Sequence, residues 1–117
     1  FKDDMQELNP ELLKAEIVVF VSPIYYYDIN AQIKAVIDRF YANNSLLKGA
    51  DKKAVLMLTY ADETEEAAEG AVASYKGMLK YLEWENVGIV SAKACYVLED
   101  VVNSEYPKQA YKLEKSL

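Results

Sequence analysis

The residues with the clearest potential for binding chemistry are aromatic and lie in two short segments of the chain. Three consecutive tyrosines, residues 25–27, follow Ser22-Pro23, and another tyrosine begins the segment 60–62, which ends in an aspartate. Aromatic rings can stack on a planar ligand, and backbone N–H groups can donate hydrogen bonds to its polar edge. Aromatic clusters also commonly fill a protein core or an interface, and that alternative stays open at this point.

The composition excludes several kinds of site. The 117 residues contain no histidine and one cysteine, so the sequence predicts no conventional zinc site, no histidine-dependent catalytic triad and no internal disulfide. A net charge of −6 disfavours binding to a phosphate backbone. No apolar run approaches the roughly 18 residues that span a bilayer, and no secretory signal is visible. We therefore expect a cytoplasmic protein in which Cys95 is a small buried apolar residue.

A strand and a helix must position the tyrosine segment. Residues 17–21 are a continuous run of β-branched and aromatic residues, which is typical of a parallel strand covered on both faces. Because proline lacks an N–H, we expect the strand to break at Ser22-Pro23. The next helix, with Asp28 or Asn30 as its cap, is predicted from apolar residues at helical spacing: Ile33, Val36, Ile37, Phe40 and Tyr41.

The rest of the chain alternates between helical and strand patterns. Apolar spacing predicts helices near residues 2–15, 68–84 and 106–117, and strands near 53–60 and 87–95. Pro10 interrupts the first helical pattern and predicts a kink, or a fresh helix capped by Asn9. The alternation predicts one α/β domain, residues 1–117, with three parallel strands joined by right-handed crossovers and helices on both faces of the sheet.

The tyrosine segment and the helix after it carry a family resemblance. Residues 22–27 followed by 31–40 resemble the flavin-loop signature of the NADPH-dependent FMN reductase and multimeric flavodoxin family, and the similarity continues through residues 2–6 and 81–88. The resemblance implies a flavodoxin-like three-layer αβα fold, truncated at the N-terminus, whose first strand and phosphate-binding turn would precede Phe1. It also implies an FMN site formed by Ser22, Pro23, Ile24, Tyr25, Tyr26, Tyr27, Tyr60, Ala61 and Asp62.

The activity implied by this resemblance is hydride transfer from NAD(P)H to FMN, with electrons passed on to a quinone, a free flavin or a redox protein. Since the cofactor carries that chemistry, the sequence needs no catalytic acid, base or nucleophile. Two alternatives are a flavodoxin-like electron carrier without NAD(P)H activity and a fragment that binds no flavin. Because residues 1–117 contain no glycine-rich or Walker turn for a phosphate, we expect this chain alone to bind FMN weakly or not at all.

The family's strand order, 2-1-3-4-5, would leave the strand at residues 17–21 on the edge of the sheet. An apolar edge without proline, lysine or a bulge invites another chain, so we expect a twofold homodimer in which this strand pairs antiparallel with its copy. The alternative is that residues 1–15 cover the edge. Asp38 and Arg39 match the family but are expected to form structural ion pairs.

Overall fold

The computed structural model describes residues 2–117; Phe1 lies outside the described residues. The strands, in chain order, are β1 (Ile17–Tyr25), β2 (Asp28–Ile29), β3 (Lys53–Thr59) and β4 (Glu85–Ala92). The helices are α1 (Met5–Lys14), α2 (Ala31–Asp38), α3 (Asn44–Leu47), α4 (Glu66–Leu82), α5 (Leu98–Val102) and α6 (Tyr106–Ser116), with a 3₁₀ turn over Arg39–Asn43 between α2 and α3.

The three long strands form a parallel sheet, as predicted. The order across the sheet is β2-β1-β3-β4, so β3 is central and β4 lies at an edge. Val19 of β1 is aligned with Val55 of β3, and Val55 is aligned with Gly88 of β4. Parallel strands end on the same side of the sheet, so the loops after β1 and β3 lie next to each other.

The predicted break at Ser22-Pro23 is wrong, because β1 continues through both residues. Ser22 is aligned with Leu58 and Pro23 with Thr59, and the strand ends only at Tyr25. Proline's fixed φ is compatible with extended backbone, and its missing N–H is tolerated where one side of a strand is unpaired. Within residues 2–117, the side of β1 opposite β3 has a strand partner only at its end, where β2 pairs antiparallel with it.

One face of the sheet carries most of the core. Leu12 of α1, the apolar side of α2 and the alanine-rich side of α4 pack with Phe20, Leu56 and Leu58. Trp84 closes this core near the start of β4 and donates a buried hydrogen bond from its indole N–H to the carbonyl of Leu47, 2.7 Å away. On the opposite face α6 packs on β4, where Leu113 fills the space that a side chain at Gly88 would occupy.

Helix α1 runs from Met5 to Lys14 through Pro10, so the predicted fresh helix capped by Asn9 is wrong. Pro10 is exposed and removes one internal hydrogen bond of the helix, while Leu12 of the same helix is buried in the core. The end of α1 is held by Lys52, a buried ammonium that donates to the carbonyls of Leu13 and Ala15 at 3.0 and 2.5 Å. A cation at a helix C-terminus is favoured by the helix dipole.

Two ion pairs involve α2 and the residue that follows it. Lys34 pairs with Asp38 on the solvent face, and Arg39 pairs with Asp3 ahead of α1. The Arg39 guanidinium lowers the pKa of the Asp3 carboxyl. The structure thus gives Asp38 and Arg39 the ion pairs expected of them, Asp38 within α2 and Arg39 with the segment ahead of α1. Among residues 2–117, no helix has both the length and the hydrophobicity required to cross a membrane.

Candidate flavin site

The tyrosine segment forms a tight β-hairpin at the carboxyl end of β1. Tyr25 is aligned with Asp28 and Ile24 with Ile29, which leaves Tyr26 and Tyr27 as the two turn residues. Both turn residues have positive φ, 49° and 68°, as the two central residues of a type I′ hairpin require. Asn and Gly are the usual residues in that turn, because bulky side chains strain the left-handed region by roughly 1–3 kcal/mol each.

The strained turn exposes aromatic surface instead of burying it. Tyr26 is 100% exposed, and Tyr25 and Tyr27 are each about two-thirds exposed at 64% and 63%. Strain at a fully exposed tyrosine is not explained by packing in the core. Strained backbone that the surrounding structure over-determines is often found at ligand-binding segments. The hairpin therefore presents rings that are available to a ligand or to another chain.

Ser22 anchors the base of the hairpin. Its hydroxyl is buried, donates to the Pro23 carbonyl at 2.7 Å and accepts the Asn30 N–H at 2.9 Å. The Asn30 side chain in turn accepts the Ile33 N–H at 3.0 Å, so Asn30 caps α2 and Asp28 does not. One hydroxyl thus joins the strand before the hairpin to the helix after it.

The two predicted segments meet in one crevice. A cavity of about 240 Å³ is lined by residues from the hairpin, from the loop after β3 and from the start of α4: Ile24, Tyr26, Tyr27, Tyr60, Ala61, Asp62 and Ala67. Six of the nine predicted site residues line this cavity. The remaining three, Ser22, Pro23 and Tyr25, form the strand that supports the hairpin.

Two side chains of the second segment have structural hydrogen bonds. The Tyr60 ring is buried in the core, and its hydroxyl lies 3.1 Å from the Ser91 hydroxyl. The Asp62 carboxylate accepts the N–H and the hydroxyl of Thr64 at 2.7 and 2.8 Å, and these hydrogen bonds lower its pKa. Asp62 is therefore ionised at neutral pH, and it fixes the loop that follows β3.

The two segments that line the crevice carry free backbone hydrogen-bond donors. Within residues 2–117, the N–H groups of Tyr26, Tyr27, Ala61 and Asp62 form no intramolecular hydrogen bond. Such donors can satisfy the carbonyl oxygens and ring nitrogens along the polar edge of an isoalloxazine, while exposed tyrosine rings cover part of its face. Asp62 is the one charged residue of the lining, so the crevice suits an uncharged planar ring better than a phosphate.

The family model for NADPH-dependent FMN reductases matches residues 1–92, which include α1, the hairpin and all four strands. The chain belongs to this family. A curated relative, the iron-sulfur flavoprotein of Archaeoglobus fulgidus, is 33% identical over 69 residues. These residues are 57% of this chain and 31% of the relative, so the match spans less than a third of that protein.

Solved structures share the fold at low sequence identity. The Trp repressor binding protein from Bacillus subtilis has a TM-score of 0.84 at 16% identity, covering 97% of this chain and 71% of its own. A NADPH-quinone reductase from P. pentosaceus has a TM-score of 0.63 at 13% identity, with coverage of 97% and 72%. A flavone reductase has a TM-score of 0.64 at 16% identity, with coverage of 97% and 43%. The predicted family and flavodoxin-like fold are confirmed.

Sequence reasoning missed a part of the site that α4 supplies. Ala67 lines the crevice, and a Cβ built at Gly70 would lie 3.1 Å from the carbonyl oxygen of Tyr27. The signal was present in the sequence as small residues near the start of a long helix.

Cys95 is half-buried and donates to the Lys93 carbonyl, and burial raises the pKa of its thiol, so it is not an activated nucleophile.

Proposed function

We propose that this protein is an FMN-dependent oxidoreductase that takes hydride from NAD(P)H and delivers electrons to a small acceptor such as a quinone or a free flavin, or to a redox protein. The observation that carries the proposal is the strained Tyr26-Tyr27 hairpin, which meets the loop after β3 in a crevice. Four of the residues that line this crevice have backbone N–H groups without a hydrogen-bond partner within residues 2–117. Membership of the NADPH-dependent FMN reductase family supports the choice of cofactor.

In this proposal the protein binds and orients while the flavin carries the redox chemistry. Bound FMN would supply a two-electron centre that accepts hydride and releases electrons to the acceptor. The hairpin and the residue 60–62 segment would hold the polar edge of the ring through their backbone N–H groups. The exposed tyrosine rings would cover one face of the ring and exclude water there. No acid or base from the chain is required.

Anaerobic reduction tests the activity directly. FMN at 200 µM is mixed with the 117-residue chain at 200 µM, and the absorbance near 450 nm is followed after NADPH or NADH is added. Reduction faster than in free FMN, and retained when Cys95 is changed to Ser, supports the reductase. Binding of FMN without faster reduction favours the electron carrier, and the absence of both favours a chain that binds no flavin.

We also propose a cytoplasmic homodimer that forms through the open side of β1. Within residues 2–117 no strand pairs with residues 17–21 on the side away from β3, and Val19 and Val21 are 46% and 62% exposed. Helix α1 lies against the core face, where Leu12 is buried, and does not cover these valines. Antiparallel pairing with a second copy would satisfy the free backbone groups by twofold symmetry.

Sedimentation equilibrium at micromolar concentration tests the dimer. The wild-type chain is expected to be dimeric and Val19→Lys monomeric, whereas Val102→Lys, at an exposed valine in α5, should remain dimeric. A wild-type monomer refutes the proposed dimer.

A further inference from the structure

A second cavity lies under α2, and its lining is entirely different from that of the flavin crevice. It has a volume of about 200 Å³ and lies between α2, α4 and the core face of the sheet. Its walls include Phe20, Leu56, Ile33, Ile37, Tyr75 and Met78, and none of these residues lines the crevice. Well-packed interiors have few voids larger than a water molecule, so a void of this size is unusual in a small α/β protein.

The cavity exists because small residues face α2, a helix that does not pack closely against the sheet. Ser22 and Ala71 contribute to its lining where larger side chains would fill the space. No residue of α2 is buried, although Ile33 and Ile37 point into the core. The helix therefore lies above a gap, and its apolar face has space beneath it for an additional group.

The interior offers almost no hydrogen bonds to water. The Ser22 hydroxyl already donates to Pro23 and accepts from Asn30, and the Tyr75 hydroxyl donates to Asn86 at 3.0 Å. A buried water needs two to four polar partners, and apolar cavities of about 150 Å³ in other proteins stay dry and bind benzene. Burial raises the pKa of Tyr75 to about 12, in agreement with an apolar environment.

The lining favours an aromatic guest. Phe20 and Tyr75 present an edge-to-face pair with ring centroids 6.0 Å apart, and the Met78 thioether lies beside the same space. Aromatic rings and methionine sulfur both interact favourably with a further ring. Lys34 and Ser74 are the exposed members of the lining and mark its solvent side. Lys34 forms an ion pair with Asp38, and within residues 2–117 the Ser74 side chain has no hydrogen bond.

We infer that this cavity binds a small uncharged aromatic molecule, one ring with a hydroxyl or carbonyl substituent directed to Ser74 at the mouth. The volume of about 200 Å³ is sufficient for a single substituted ring. The inference is independent of flavin binding, since the two cavities have no lining residue in common.

Methyl NMR of the wild-type chain, with phenol as the probe, tests the inference without any substitution. Phenol is expected to shift the methyl resonances of Ile33, Ile37 and Met78 in a saturable way in the millimolar range or below. Cyclohexanol, which has the same hydroxyl on a non-aromatic ring, should bind at least threefold more weakly. Shifts that are absent at 10 mM phenol, or that centre on other methyl groups, overturn the site, and equal binding of cyclohexanol overturns the aromatic preference.

Substitutions in α4 locate the site. Ala71→Leu fills the cavity and should weaken phenol binding at least tenfold, while Ala73→Leu, on the solvent side of the same helix, should leave it within twofold. Ser74→Ala should weaken phenol binding but leave benzene binding unchanged. Unchanged phenol affinity in a folded Ala71→Leu, or an equal loss in Ala73→Leu, contradicts the assignment.

Discussion

The contact between Gly70 and the hairpin can be measured with a matched pair of glycines in α4. Replacing a helix-interior glycine by alanine usually stabilises a protein by about 0.5–1 kcal/mol, because alanine has the higher helix propensity. At Gly77 an added Cβ meets nothing within 4 Å, so Gly77→Ala should show this full gain. At Gly70 the added methyl would lie 3.1 Å from the Tyr27 carbonyl oxygen, closer than normal van der Waals contact.

That carbonyl has little freedom to move. It belongs to a two-residue turn in which both residues have positive φ, and the Ser22 hydroxyl anchors the hairpin base. Overpacking typically costs about 1–3 kcal/mol, so after the propensity gain Gly70→Ala should range from neutral to about 2 kcal/mol less stable than wild type. The two variants should then differ by about 1–3 kcal/mol, or roughly 4–12 °C in Tm for a chain of this size.

Urea unfolding followed by circular dichroism gives both free energies under the same conditions. A second measurement, titration of FMN fluorescence, should show weaker binding for Gly70→Ala and no change for Gly77→Ala, since the displaced turn lines the crevice. Equal stabilisation of the two variants would show that the hairpin does not rest on α4, and the reasoning about the crevice would fail with it.

Three further predictions rest on separate features. Lys52→Ala should lower the free energy of unfolding by about 1–3 kcal/mol in urea titrations, since two carbonyls at the end of α1 lose their buried partner. Lys53→Ala, at the exposed neighbouring residue, is the control. Equal effects of the two substitutions would contradict the role of Lys52 at the end of α1. The free energy of unfolding should fall as pH rises from 10 to about 12, because the Tyr75 phenol ionises at its ordinary pKa when unfolded but stays protonated in the fold. Tyr75→Phe should show a smaller fall in the free energy of unfolding over this pH range. An equal fall in the variant would argue against burial of the hydroxyl. Riboflavin should bind this chain at least as tightly as FMN in equilibrium dialysis, because the one charged residue in the crevice lining, Asp62, is negative and does not attract a phosphate. A clear preference for FMN would mean that a phosphate site exists in residues 1–117.

The apolar patterns that extend over a whole strand or helix were sufficient to predict the parallel sheet and its crossover helix. The apolar run at residues 17–21 and the stripe in α4 gave the parallel strands and the crossover helix, since burial on both faces of a sheet requires continuous apolar strands. Proline was the main source of error. Both Pro10 and Pro23 were expected to interrupt an element, but tertiary packing and an open strand side let the elements continue.

The hairpin itself was not predicted in detail. A tyrosine pair in a type I′ turn contradicts local preference, so its conformation depends on the Ser22 anchor and on the contact with Gly70, which is distant in sequence. The short helix α5 was also missed, because five residues carry too little periodicity. The crevice could be anticipated because its two loops follow neighbouring parallel strands, whereas the second cavity arises from the sizes of side chains on five elements.

The most direct test of the proposed flavin site is amide NMR of the 15N-labelled chain titrated with FMN to 1 mM. We expect the largest shifts on residues 24–28 and 60–62, with binding weak enough to remain in fast exchange. Shifts that are absent throughout, or that centre on residues outside the crevice, would contradict the assignment of this hairpin as a flavin-binding element.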